Sequence, residues 1–69
     1  MYLHDAIREV LRQHNAPMSS RAIAEEINAR ELYSRADGRS LKASQVSARA
    51  GNYGHLFERT VDGAIELRP

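Results

Sequence analysis

Apolar residues along the chain fall into short stripes, and the spacing within each stripe predicts its element. Leu3, Ile7, Val10 and Leu11 recur at i, i+4, i+7 and i+8, which predicts an amphipathic first helix. Asp5 and Glu9 stand early in it and Arg12 and His14 late, an order that suits the helix dipole. Asn15-Ala16-Pro17 ends it, because a residue before proline avoids the helical region. Ile23, Ala24 and Ile27 form a second helical stripe, with Glu25 and Glu26 on the outside. Ser19 is its predicted N-cap, and it runs to about Arg30 or Tyr33. Met18 is left as a lone apolar residue between Pro17 and two serines.

Residues 34–40 are polar and carry an Asp37-Gly38 turn signal. A third helix is predicted from Lys42 to Ala50, with Ala43, Val46 and Ala50 as its buried edge and Gly51 as its stop. Leu41 packs ahead of it. The tail reads as a hairpin, Leu56–Thr60 and Ala64–Leu67 around Val61-Asp62-Gly63. Alternation decides its turn. A two-residue Asp-Gly turn splits Phe57 from Ile65 and Leu67, whereas a three-residue loop with left-handed Gly63 puts all three on one face. The second form sets Glu58 opposite Glu66, a small like-charge cost. Met18 is placed to pair with the hairpin as a one-residue strand. The predicted fold is therefore mainly α (small α+β): a winged helix-turn-helix of three helices plus a C-terminal β-hairpin wing, one domain over residues 1–69.

Composition narrows the chemistry. At 69 residues, 42% hydrophobic and 28% charged, the chain has the make-up of a soluble globular domain with a small core. It has no cysteine, so disulfides and thiolate zinc sites are excluded. No apolar stretch is long enough to span a membrane, and the N-terminus lacks the pattern of a signal peptide, so a cytoplasmic location is expected. The net charge of +1 is unevenly spread. Residues 1–29 hold three Arg and four acids (net −1), residues 30–60 six cations and three acids (net +3), and residues 61–69 return to −1.

The cationic middle third is where candidate binding residues gather. Lys42, Gln45 and Arg49 share one side of the third helix at i, i+3 and i+7, with Ser44 and Ala48 toward its outer edge and Ser47 nearer the core. Short side chains allow close approach to a duplex, while Arg and Gln can reach base edges. Arg39, Ser40 and Lys42 flank the helix N-terminus, where backbone N–H groups favour a phosphate. Asn52 and Tyr53 lie in the predicted turn after the helix, to touch a phosphate or to pack locally. Arg59 and Thr60 are wing candidates, although alternation puts the Arg59 stem beside Ile65, where it can cover the core edge. Glu58, Asp62 and Glu66 make the wing less basic than a strong DNA-binding one. His4, His14 and His55 have no metal-ligand spacing, and no nucleophile elbow or Gly-rich phosphate loop is present. No cofactor and no catalytic role are expected.

The stretch Glu31-Leu32-Tyr33-Ser34-Arg35-Ala36-Asp37-Gly38, with Gln45-Val46-Ser47-Ala48-Arg49 and His55-Leu56-Phe57-Glu58-Arg59, resembles the HARE-HTH winged-helix family. The resemblance covers nearly the whole chain. It implies a winged helix with a DNA-associated role, of the kind found in restriction enzymes, chromatin-associated proteins and a bacterial RNA polymerase subunit. Lys42 stands where related sequences often carry a threonine. That removes a neutral N-cap and adds a charge where a phosphate could sit. Double-stranded DNA is the expected partner, at the nucleoid if the source is bacterial. A protein partner in a transcription or restriction-modification assembly is the alternative, and a tethered second domain fits either. Arg68-Pro69 falls just past the last predicted strand, where a domain boundary is expected.

Overall fold

The computed structural model describes residues 1–69. In chain order the elements are α1 (Leu3–His14), α2 (Ser20–Arg30), α3 (Ala43–Asn52), β1 (Phe57–Arg59) and β2 (Ile65–Leu67). Three helices closed by an antiparallel hairpin form the winged-helix arrangement that the pattern predicts.

The stripes become one core. Ile7, Val10, Ile23, Ile27, Val46 and Ile65 are its largest fully buried side chains, and no polar or charged residue is buried. Burying these branched side chains, at roughly 1.5–3 kcal/mol each, is what holds the three helices together. Ala6, Ala24 and Ala50 are also buried, and their small size allows the helices close approach.

Helix ends follow local chemistry. Asn15 adopts a left-handed conformation at φ 60° and donates its N–H to Leu11 O, so α1 stops two residues before Pro17 acts on the chain. Ser19 caps α2 by accepting from Ala22 N at 3.0 Å. The helix ends at Arg30, with Glu31 left-handed at φ 53°. Gly51 does not stop α3, contrary to expectation. The helix runs through it to Asn52, and Tyr53 breaks the pattern at φ −119°, ψ 51°. The reason is tertiary: the Tyr53 ring stacks on His4 at 4.1 Å, which ties the chain to the start of α1.

The hairpin has the predicted register. Phe57 faces Leu67, Glu58 faces Glu66 and Arg59 faces Ile65. Gly63 sits at φ 90°, where a side chain is strained, so the loop is the three-residue form. The strands are shorter than expected, because Leu56 N is drawn into a turn with Tyr53 O and Thr60 closes the loop against Ala64. Arg68 relieves the like-charge pair by binding Glu58 at 2.8 Å. Met18 pairs with Ile65 through two backbone bonds of 2.9 and 2.8 Å, so the wing is anchored to the link between α1 and α2.

Candidate nucleic-acid interface

The long α2–α3 connection positions α3. Asn28 on α2 holds the Leu41 main chain from both sides, donating to its carbonyl at 3.0 Å and accepting from its N–H at 2.9 Å. Leu41 is buried beside it. Between them the loop is closed by Arg35 and Asp37. Arg35 binds Asp37 at 2.8 Å and Ser40 O at 3.3 Å, and Asp37 accepts from Arg39 N at 3.0 Å. Gly38 turns at φ 75°. Arg35 and Asp37 thus build the loop, and the Arg39 and Ser40 side chains project exposed from it.

Val46 and Ala50 are buried as expected and Ala43, in the first turn, is only half-buried; the opposite side of α3 is open: Lys42, Ser44 and Ala48 are exposed, Gln45 and Arg49 half-exposed. Its N-terminus is open too. Lys42 holds the N-cap position but has no acceptor in its side chain. Gln45 Oε1 turns back to accept from Lys42 N at 3.0 Å, half of a capping box. The Ala43 and Ser44 N–H groups have no protein partner, and no acid stands in the first turn. Positive helix-end dipole, Arg39 and Lys42 therefore add in one place.

Ion pairing sorts the cations. Arg12 pairs with Glu9, Arg21 with Glu25, Arg30 with Glu26, Arg35 with Asp37 and Arg68 with Glu58. Arg8, Arg39, Lys42, Arg49 and Arg59 have no carboxylate partner. Four of these five fall within residues 39–59. The Glu9 carboxyl is held below the usual carboxylate range, first by the hydrogen bond from Arg12 and then by that from Gln13. At the wing tip Asp62 is lowered likewise, chiefly by the Thr60 hydroxyl, so the tip keeps a negative charge.

The candidate residues divide accordingly. Arg39, Ser40, Lys42, Ser44, Ala48, Arg49 and Asn52 present open side chains; Asn52 does so from the last turn of α3 rather than from a loop. Gln45 is half engaged in capping. Tyr53 is stacked on His4, within a run of rings that includes Tyr2 and His55. The Thr60 hydroxyl donates to Asp62 and accepts from Ala64 N, inside the wing loop. Arg59 is taken up by Ser47 and Gly63. Asn28 and Ser47 were not predicted to matter. Nothing in their spacing marks them, since both act across gaps of 12 or 13 residues.

No group of three His, Cys, Asp or Glu side chains is gathered that could hold a metal ion, and no helix is long and apolar enough to cross a membrane. The family model for HARE-HTH, described as an "ASXL, restriction endonuclease HTH domain", matches residues 1–68. The chain belongs to the HARE-HTH family. HARE-HTH is a family of DNA-binding helix-turn-helix domains, not a catalytic one. Compared with curated proteins and with solved structures, this HARE-HTH chain matches none.

Proposed function

We propose that this HARE-HTH domain binds double-stranded DNA by laying α3 in the major groove. The observation that carries the reading is the sorting of charge: cations elsewhere are mostly neutralised in place, while Arg39, Lys42 and Arg49 stand free around one helix. Ser44 and Ala48 are short enough for close approach, and Arg49 is the long donor aimed at base edges. Gln45 supports the helix start and offers its amide N–H groups. Arg39, Ser40, Lys42 and Asn52 hold phosphates, which set position without reading sequence.

A domain this small binds weakly alone, so a tethered second module supplies the remaining affinity. That role suits one part of a transcription or restriction-modification assembly, in the cytoplasm or at the nucleoid of a bacterium. A docking surface for a protein on the acids of α1 and α2 finds less support, because Glu9, Glu25 and Glu26 are each already paired with an arginine.

Salt titration of duplex binding tests the reading. Arg39 and Lys42, the two cations among the phosphate ligands, neutralise two phosphates and give a log–log slope of about −1.8. Lys42→Ala with Arg49→Ala abolishes the binding. Lack of duplex binding by the native domain at low salt overturns the reading.

A further inference from the structure

The wing itself is slight. Its strands have three residues each, and a two-stranded hairpin of that size is not stable alone. Met18 holds β2 on one side. On the other side, beyond the buried Phe57 and Ile65, one polar side chain links hairpin to helix. Arg59 Nη1 donates to Gly63 O at 3.1 Å, and Nη2 donates to Ser47 O at 3.1 Å and to Ser47 Oγ at 2.6 Å. Among the arginines without a carboxylate partner, Arg8, Arg39 and Arg49 make no side-chain hydrogen bond at all. Arg59 alone is spent on internal acceptors. They lie at the two places whose relative position defines a winged helix: the middle of α3 and the loop of the wing.

We propose that Arg59 is a positioning residue, a strut that fixes the wing at a set angle to α3 rather than a contact to DNA. The proposal deepens the duplex-binding reading and rests on it. The guanidinium suits this task because its planar fork reaches separate acceptors in a fixed geometry, which an ammonium cannot match. The charge of the wing tip fits the same view. Asp62 stays ionised beside Thr60, so the tip is poorly suited to a close phosphate contact of its own. Val61 at the tip is fully exposed, and the strut determines where it is presented.

Arg59→Ala, Arg59→Lys and Ser47→Ala separate a strut from a contact. In the free domain, Arg59→Ala should speed exchange of the hydrogen-bonded Thr60, Gly63 and Ala64 amides by tenfold or more and shift the Ser47 and Gly63 resonances, with α1 and α2 unchanged. With a duplex, its affinity should fall by the same factor at every salt concentration, leaving the slope unaltered. Arg59→Lys should behave like Arg59→Ala, since a lysine meets a phosphate but cannot span these acceptors. Ser47→Ala, which removes only the hydroxyl acceptor, should show the same changes in weaker form, and it serves if Arg59→Ala fails to fold. Restoration of affinity by lysine, a slope reduced by about 0.9 in Arg59→Ala, and unaltered exchange in the wing together overturn the proposal. If the native domain binds no duplex, the DNA reading fails, while the exchange data still decide whether the strut exists.

Discussion

The α1–α2 pair and the α3–wing unit share one core yet treat their polar groups in opposite ways. On α1 and α2 every arginine but Arg8 is answered locally: Arg12 by Glu9, Arg21 by Glu25, Arg30 by Glu26, and the start of α2 is capped by Ser19. In the second region the start of α3 has no side-chain acceptor over its N–H groups, and Arg39, Lys42 and Arg49 have no acid. Exposed i, i+3 and i, i+4 pairs contribute only a few tenths of a kcal/mol each, so stability does not explain the contrast. What differs is the field each region shows to a partner. The first region is quiet, and the second carries concentrated positive potential beside short side chains.

The largest change attacks what the two regions share. Ile27 is fully buried within the common core, so Ile27→Ala should cost about 2–5 kcal/mol in denaturant unfolding and melt both regions together. A transition that splits in two would show that they are not one cooperative unit. Next in size is the charge contrast. Arg49→Ala should lose about 1–3 kcal/mol of duplex binding, whereas Arg12→Ala with Arg21→Ala should change it by less than about 0.5 kcal/mol. Equal losses from the two sets would erase the distinction between paired and open cations.

The two helix starts allow a smaller exchange. Ser19→Ala should cost about 1 kcal/mol of stability by uncovering the Ala22 N–H. Lys42→Ser completes a capping box with Gln45, so it should stabilise the domain by about 0.5–1 kcal/mol while weakening duplex binding. A gain in both would show that the lysine was never a phosphate ligand.

The smallest effect is acidic. Glu9 and Asp62 both have folded-state pKa values lowered by hydrogen bonds, from Arg12 and from Thr60 respectively. Their contribution is therefore complete above the ordinary carboxylate range and is lost as pH falls through the lowered folded values. Glu9→Gln should flatten the acid limb of a stability–pH curve slightly, and a steeper limb would contradict the assignment.

Much of this domain was legible from spacing alone. The stripe of Ile23, Ala24 and Ile27, the cap at Ser19, the left-handed Gly63 and the lone Met18 each follow from neighbours within a few residues. Periodicity and turn chemistry act over that distance. The open face of α3 was legible for the same reason, once Val46 and Ala50 had been assigned inward. Gly51 misled because a glycine is only permitted, not required, to end a helix. The ring of Tyr53, stacking on a histidine 49 positions earlier in the chain, decided the end instead.

Sequence alone therefore settled the element order, the inward stripes, the hairpin register and the cationic character of the third helix, because each depends on short-range geometry and side-chain chemistry. Only tertiary structure decided which cations stay free and which become scaffolding. Arg49 and Arg59 are the same residue type ten positions apart. Folding leaves the first open on the helix face and brings Ser47 and Gly63 to the second. A long, flexible guanidinium takes the acceptors the fold delivers to it, and no local pattern records which those will be.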